Sequence, residues 1–237
     1  DLIHEGHASE ELRGLLGSRT DVAIPRIYWE RSARRVLTMD YFDGIRITDL
    51  EALRAAGVDP AQAADILVDL YNTMILRFGM FHADPHPGNY LFLGDGRLGL
   101  IDFGCCHRFD DAEFDYVMSI ERAARDEDQA ATVAALARGC ELEPAELTGE
   151  RLELMRAYAD WTWEPIRAPG AFDFSDTEHF AHGARIYGRF VREGWVRSKP
   201  INVWLTKLFF GVRAMLTHLG AQVEYGRILR EESPLGR

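Results

Sequence analysis

The side chains with the clearest chemical potential lie between Phe81 and Asp110. Asp84 is followed five positions later by Asn89, and Asp102 stands thirteen residues beyond Asn89 in an Asp-Phe-Gly tripeptide. Mg²⁺ prefers hard oxygen ligands of this kind and completes its shell with water and nucleotide phosphate. Phosphoryl-transfer sites use the same residue types at the same Asp-to-Asn interval. The pattern therefore predicts such a site, with Asp84 as the catalytic group and with Asn89 and Asp102 as metal ligands.

Two short strands are needed to bring Asn89 and Asp102 to one metal ion. Two prolines and a glycine exclude helix from the loop at 85–88. An apolar run at 90–93, a glycine-rich turn and a second apolar run at 98–101 predict a β-hairpin. Because this hairpin places Asn89 at the start of one strand and Asp102 at the end of the other, their side chains become neighbours.

A transition-metal site is an alternative interpretation of the same loop. His82, Asp84 and His86 stand at alternate positions, and imidazole and carboxylate groups spaced in this way can bind Zn²⁺. This alternative gives no role to Asn89 or Asp102, so the sequence favours Mg²⁺. His82 is then expected to be a scaffold residue that hydrogen-bonds the loop backbone, and His86 receives no assigned role.

Five segments of the chain carry a resemblance to a known family. They are HADPHPGN at 82–89, LIDFG at 100–104, and the segments at 2–8, 24–30 and 36–44. Together they resemble the UbiB family of AarF-type atypical kinases. The resemblance implies an α+β, protein-kinase-like fold that has a mainly helical C-terminal lobe, a small β-hairpin and a remnant of the N-terminal lobe. It also implies ATP and Mg²⁺ as cofactors.

The resemblance assigns nucleotide-binding roles outside the hairpin as well. Glu5 matches the helix glutamate that pairs with an ATP-orienting lysine in kinase-type sites. Asp40, Tyr41 and Phe42 continue the connection between the lobes, where backbone groups can hydrogen-bond an adenine and apolar side chains can enclose it. Together with the two metal ligands, these residues form the implied Mg-ATP site.

The lysine content bears on how much of a kinase-type site is present. The chain has only Lys199 and Lys207, and both follow the metal-binding motif. A kinase-type site takes its phosphate-binding lysine from an early strand, and arginine is no simple substitute. We therefore expect a large-lobe fragment that folds but catalyses poorly alone. Residues 1–44 would be a remnant of the small lobe with the glutamate helix, strands and inter-lobe hinge, and 45–237 the helical large lobe.

Composition narrows the class of protein and its compartment. With 237 residues and 47% hydrophobic content, the chain can bury a core of its own. A net charge of −11 argues against a nucleic-acid partner, which would require a basic surface. Three cysteines do not make a disulfide framework, which favours a reducing, cytoplasmic location. No apolar run reaches about 18 residues, so membrane association is expected only through parts outside this chain.

Helical periodicity dominates the rest of the chain. The Asp59-Pro60 pair predicts the start of a helix that runs to about Phe78, directly before the loop of Asp84. Asp110 or Asp111 is expected to cap the next helix, which begins almost at once after the Asp-Phe-Gly tripeptide. Further helices are predicted at 129–138, at 152–159 before a Trp-Thr-Trp segment, near 187–191 and at 200–219.

The apolar stripe at 200–219 has two interpretations. Such a stripe usually faces a protein core, which predicts a packing helix. The alternative is a lipid-binding surface with Lys199, Lys207 and Arg213 near the headgroups.

ATP-dependent phosphoryl transfer or ATP hydrolysis is the leading functional hypothesis. The resemblance links it to ubiquinone and isoprenoid lipid metabolism, so the expected partners are ATP and either quinone precursors or isoprenoid lipids, with peripheral membrane contact. A non-catalytic (pseudokinase) nucleotide- or lipid-sensing module is one alternative. A small-molecule phosphotransferase of the aminoglycoside or choline type is another, because the sequence leaves no long activation loop after Asp102.

Overall fold

A computed structural model describes residues 1–195 and 199–232, and most of them are helical. The α-helices in these residues are α1 (Leu2–Leu15), α2 (Leu50–Ala55), α3 (Pro60–Asn72), α4 (Asp111–Arg125), α5 (Gln129–Gly139), α6 (Gly149–Arg167), α7 (Thr177–Arg192), α8 (Pro200–Leu219) and α9 (Tyr225–Glu232). The strands are β1 (Val22–Ala23), β2 (Gly44–Arg46), β3 (Met80–His82), β4 (Tyr90–Leu93), β5 (Leu98–Leu100), β6 (Cys106–Arg108), β7 (Phe172–Asp173) and β8 (Gln222–Val223). Residues 196–198 and 233–237 of the predicted large lobe lie outside the described residues.

The predicted hairpin is the centre of a larger sheet. Strands β4 and β5 are antiparallel, with Tyr90 opposite Leu100, and Gly96 in the turn between them has a φ of +87°. That left-handed backbone is accessible to glycine without strain. Strand β1 adds to β5 in parallel and β2 adds to β4 antiparallel, which gives the order β1-β5-β4-β2. The hairpin prediction is confirmed. Strand β1 lies within 1–44, where strands were expected, but the sequence did not predict that β1 and β2 would pair with the hairpin.

A second small sheet involves the short span between the Asp-Phe-Gly tripeptide and α4, to which the sequence assigned no strand. Strand β6 intervenes and pairs antiparallel with β3, with His82 opposite Cys106. Strand β3 is buried along its whole length, so its backbone groups need hydrogen-bond partners, and β6 supplies them. The pairing fixes the chain directly before the predicted catalytic loop, at His82, and directly after the Asp-Phe-Gly tripeptide, at Cys106.

The predicted helix starts next to the loop are confirmed. The Asp59 side chain accepts a hydrogen bond from the Ala61 backbone, and Pro60 occupies the first turn of α3. A π-helical turn, Thr73–Arg77, extends α3 toward the loop. Asp110 caps α4 in a reciprocal arrangement with Glu113, which satisfies two backbone N–H groups.

Helix α6 is longer than its periodicity indicated. It continues through Trp161 to Arg167, and Pro165 lies in its last turn. Trp161 is buried, and its ring stacks on Phe210 at 5.5 Å between centroids. Packing of this kind outweighs the weak helix propensity of a Trp-Thr-Trp segment.

Helix α8 packs into the core, as the first interpretation of its stripe predicted. Leu208 and Leu216 are buried. Arg213 is buried too, with its guanidinium 4.4 Å from the ring centroids of both Trp161 and Phe209. Burial lowers the pKa of Arg213 to about 10. Its position contradicts the alternative role near lipid headgroups. In 1–195 and 199–232, no helix is long and apolar enough to cross a membrane.

Helix α1 shares the main hydrophobic core with the large lobe. Leu12 and Leu16 are both buried in the cluster that contains Leu67 of α3 and Phe103. After the helix ends, Arg19 forms ion pairs with Asp21 and with Asp69 of α3. The predicted small-lobe remnant is therefore joined to the helical lobe by packing, by charge and by the β1–β5 pairing.

Candidate active site

Backbone and side-chain hydrogen bonds bring the three predicted site residues together. The Ile101 backbone donates to the Asn89 carbonyl over 3.0 Å, which sets Asn89 beside the residue that precedes Asp102. The Asn89 Nδ2 donates to the Asp84 carbonyl over 3.2 Å. Since its amide nitrogen is held by the loop, the Asn89 carboxamide presents its oxygen as the atom for a cation.

His82 has the scaffold role that the sequence predicted. Its side chain is fully buried, and Nε2 hydrogen-bonds the Asp102 carbonyl. Burial lowers the pKa of His82, so the ring is neutral at pH 7 and its Nε2 carries the donated proton. The ring meets Tyr90 and Phe103 edge-on. His82 thus fixes, from inside the core, the backbone of Asp102, the second predicted metal ligand.

Asp102 has a left-handed backbone and lies close to a second carboxylate. Its φ is +66°, and its Oδ1 accepts a hydrogen bond from the Gly104 backbone over 3.1 Å. Glu5 of α1 accepts from the Phe103 backbone over 3.4 Å. Burial, and then the charge of Asp102, raise the pKa of Glu5. Two carboxylates therefore face each other at the point where the Asp-Phe-Gly turn meets α1.

This donor set fits Mg²⁺. The oxygens of Asn89, Asp102 and Glu5 are hard ligands, and a divalent cation would relieve the repulsion between the two carboxylates. Among the described residues, no group of three or more His, Cys, Asp or Glu side chains is placed to hold a metal ion. The predicted pair of Asn89 and Asp102 relies on water and phosphate oxygens for the rest of the shell.

The histidines of the loop are engaged by the backbone, which disfavours the Zn²⁺ alternative. His82 Nε2 is bonded to the Asp102 carbonyl, and His86 Nδ1 accepts from the Gly88 backbone over 3.0 Å. A metal ion at either of these nitrogens would displace a bond that shapes the loop.

Lys207 is a site residue that the sequence pattern did not reveal. Its Nζ lies 2.8 Å from Asp84 Oδ1, and the Lys207 side chain is 47% exposed. The hydrogen bond from Lys207 lowers the pKa of Asp84, and the same bond raises the pKa of Lys207. Only the scarcity of lysine in the chain could have pointed to this residue, because α8 is far from the loop in sequence.

A close backbone contact holds α8 against the catalytic loop. A Cβ added to Gly211 would lie 2.2 Å from Pro85 Cγ, so only glycine fits there without a shift. Gly211 is one turn after Lys207 and therefore on the same helix face. Between the loop and α8 lies a cleft of about 400 Å³ whose lining includes Asp84, His86 and Lys207.

The predicted adenine-binding segment lies on the sheet next to the site. Asp40 accepts hydrogen bonds from the Tyr28 hydroxyl and then the Arg26 backbone, and these bonds lower its pKa. The Tyr41 side chain is 88% exposed. The Phe42 ring lies over Gly99 of β5, where an added Cβ would be 2.9 Å from Phe42 Cδ2. The Asp40 carboxylate is thus used in structure, and the Asp40 backbone N–H donates to the Arg26 carbonyl over 3.0 Å. The adenine-binding role therefore stays a prediction for the backbone of Tyr41 and Phe42.

The lysine partner implied for Glu5 is not supplied by either lysine of the chain. Lys207 pairs with Asp84, and Lys199 lies 5.8 Å from the ring centroid of Tyr116. Glu5 instead bonds the Phe103 backbone beside Asp102.

Comparison with a solved structure defines the fold class. The whole chain matches 59% of the chain in the complex of Rv3197 with erythromycin from Mycobacterium tuberculosis, with a TM-score of 0.72 and 17% sequence identity. At that identity the likeness concerns the fold. The arrangement is a kinase-like α+β fold, mostly helical with small sheets. The family described as "ABC1 atypical kinase-like domain" matches residues 1–136, and the chain belongs to that family. The AarF-type resemblance is confirmed.

Relatives with curated descriptions match a shorter part of the chain. An uncharacterized protein, sll0005 of Synechocystis, is 43% identical over 95 residues, which are 40% of this chain and 14% of that protein. The AarF domain-containing protein kinase 1 of Xenopus tropicalis is 42% identical over 91 residues, which are 38% of this chain and 17% of that protein. The chloroplastic ACTIVITY OF BC1 COMPLEX KINASE 3 of Arabidopsis thaliana is 32% identical over 102 residues, which are 43% of this chain and 14% of that protein. The matched region is therefore a small share of each relative.

Proposed function

We propose that this chain holds the metal-binding and catalytic loops of an Mg-ATP-dependent phosphotransferase or ATPase. The observation that carries the proposal is the convergence of Asp84, Asn89 and Asp102, joined by bonds from Asn89 Nδ2 to Asp84 and from Ile101 to Asn89. Membership of the ABC1 atypical kinase-like family supports a kinase-like function.

Each residue of the site has a chemical task in this proposal. Asn89 and Asp102 would hold Mg²⁺, which when bound would neutralise phosphate charge, and Glu5 adds a second carboxylate beside Asp102. Asp84 orients the nucleophile through its carboxylate, which Lys207 keeps ionised by a direct hydrogen bond. Because the Lys207 ammonium stands at that carboxylate, it also offers positive charge to a transferring phosphoryl group.

A non-catalytic nucleotide-sensing module is the second candidate. One observation is compatible with it: Glu5 accepts a hydrogen bond from the Phe103 backbone and so holds the Asp-Phe-Gly turn, a structural role that requires no catalysis. The family resemblance still predicts quinone precursors or isoprenoid lipids as physiological partners, with peripheral membrane contact. A small-molecule acceptor stays the alternative that the lack of a long activation loop after Asp102 suggests.

Replacing the carboxylates one at a time separates metal binding from catalysis. Asp102→Ala should abolish Mg²⁺-dependent ATP binding measured by isothermal titration calorimetry, because it removes the anionic metal ligand. Asp84→Ala should retain that binding and remove turnover in the full-length protein, since an orienting group acts mainly in the transition state. Asp95→Ala, in the exposed hairpin turn where Asp95 pairs with Arg97, is the control and should change neither. Unchanged Mg-ATP binding by Asp102→Ala would refute the metal assignment, and binding with no turnover in the full-length wild type would favour the sensing module.

A further inference from the structure

The helical lobe contains a cavity that the phosphoryl-transfer site does not use. It measures about 230 Å³, is partly open to solvent, and is lined by residues of all the helices from α3 to α9. Its wall is mainly apolar and includes Ile120, Leu136, Leu205, Phe209 and Leu229. Protein interiors pack as densely as organic crystals and leave few voids larger than a water molecule. A void of this size is therefore a space for a ligand or for several waters.

The wall of this cavity carries buried polar atoms without partners. Across residues 1–195 and 199–232, eight buried side-chain nitrogen or oxygen atoms have no hydrogen-bond partner, and four of them belong to cavity-lining residues. These four are Asn72 Nδ2, Glu121 Oε2, Thr162 Oγ1 and Trp163 Nε1. Native proteins pair nearly all buried polar groups, because an unpaired one retains its full desolvation cost. Their placement on three helices around one void indicates a missing partner inside it.

The chemistry of these atoms defines the ligand. Asn72, Thr162 and Trp163 offer donors, which require an oxygen that accepts. Glu121 pairs with Arg125 through Oε1 only, so its Oε2 requires a donor and would repel an anion. A hydroxyl group can both accept a hydrogen bond from these donors and donate one to Glu121 Oε2.

Arg213 also lines the wall, but it does not call for an anionic ligand. Its guanidinium donates to the backbone carbonyls of Trp161 and Thr162 and lies over aromatic rings. We propose that the cavity binds an uncharged amphiphile, a medium-length apolar chain that ends in a hydroxyl group. The inference is independent of the proposed phosphoryl transfer.

Titration of the purified 237-residue chain with n-octanol tests the site directly. We expect saturable one-to-one binding by calorimetry and a rise in the melting temperature. Octane lacks the hydroxyl and octanoate carries a charge near Glu121, so both should bind at least tenfold more weakly. In crystals soaked with 8-bromo-1-octanol, the anomalous bromine signal should lie inside the cavity, with the hydroxyl within hydrogen-bond distance of a named polar atom.

Two buried threonines give a matched pair of variants. Thr162→Val removes an unpaired hydroxyl from the cavity wall, whereas Thr132→Val removes a hydroxyl that donates to the Asp128 carbonyl over 2.8 Å, away from the cavity. Thr162→Val should weaken octanol binding severalfold without lowering the melting temperature of the free protein. Thr132→Val should lower that temperature and leave octanol affinity unchanged. Asn72→Leu is a second cavity variant with the same expected signs as Thr162→Val.

Four results would overturn the proposal. They are no saturable octanol binding up to its solubility limit, bromine located outside the cavity, octanoate binding more tightly than octanol, and octanol affinity unchanged in both cavity variants. Ordered waters that bond all four polar atoms and that octanol does not displace would also overturn the proposal.

Discussion

Gly211→Ala tests whether the approach of α8 to the catalytic loop sets the Lys207–Asp84 ion pair. The added Cβ would lie 2.2 Å from Pro85 Cγ, and ordinary contact begins at 3.4 Å, so helix and loop must separate by about 1.2 Å. If Lys207 moves with the helix, its distance to Asp84 grows from 2.8 Å to about 4.0 Å. That exceeds hydrogen-bond length. A displacement of about 1 Å in a catalytic site can cost about 10²-fold in rate.

The expected readout is the ionisation of Asp84. Because the Lys207 hydrogen bond is the main cause of the low pKa of Asp84, Gly211→Ala should raise that pKa toward the ordinary aspartate value in a ¹³C NMR titration. Mg-ATP turnover of the full-length protein should fall by about two orders of magnitude. Overpacking by about 1–3 kcal/mol is partly offset by about 1 kcal/mol of helix propensity, so a stability loss of about 0–2 kcal/mol is expected.

Gly188→Ala is the matched control for this variant. Gly188 lies inside α7, and an added Cβ there meets nothing within 4 Å. This substitution should stabilise the fold by about 0.5–1 kcal/mol and leave the Asp84 titration unchanged. An unaltered Asp84 pKa in Gly211→Ala, with a crystal structure that retains the ion pair, would refute the reasoning.

Two further predictions concern charge at the site. Lys207→Met should raise the pKa of Asp84 and move the acid limb of the turnover profile to higher pH, while Lys199→Met should not; equal profiles for both would exclude a role for the ion pair. Glu5→Gln should raise the free energy of unfolding at pH 7.5 but not at pH 4, measured by urea denaturation beside an exposed control, Glu193→Gln. The pKa of Glu5 is raised in the folded state, so the folded state binds this proton more tightly than the unfolded state does. The stability of the wild type therefore falls as pH rises from the ordinary glutamate pKa to the raised one, and Gln, which does not ionise, avoids that loss. A pH-independent effect of Glu5→Gln would contradict this linkage.

Local patterns were sufficient to predict the elements that carry the site. These local signals are the prolines and glycine of the loop, the apolar runs of the hairpin and the capping residues Asp59 and Asp110. Each acts over a few residues, and the structure contains the elements that they predicted. The Asp-to-Asn interval and the Asp-Phe-Gly tripeptide likewise located Asp84, Asn89 and Asp102 on neighbouring loops.

Contacts between distant segments were not predictable in the same way. Strand β6 forms because β3 needs hydrogen-bond partners, a requirement that appears only once β3 is buried. Lys207 reaches Asp84 only because α8 passes the loop at Gly211. In the sequence, Lys207 lies within an apolar stripe that predicts only a packing helix. The unpaired polar atoms of the cavity come together through the packing of three helices, which cannot be predicted from any one segment of the sequence.

The attachment of α1 to the core has a consequence for regulation. Kinases are commonly switched by a helix that swings its glutamate into or out of the site. Here Leu12 is fully buried in the common core, and β1, which follows α1, pairs with β5, the strand that ends two residues before Asp102. A swing of α1 would break that pairing, so Glu5 and Asp102 are expected to move together. Any opening and closing that admits nucleotide must then come from elements other than α1, and the amides of α1 should exchange with solvent as slowly as those of β5.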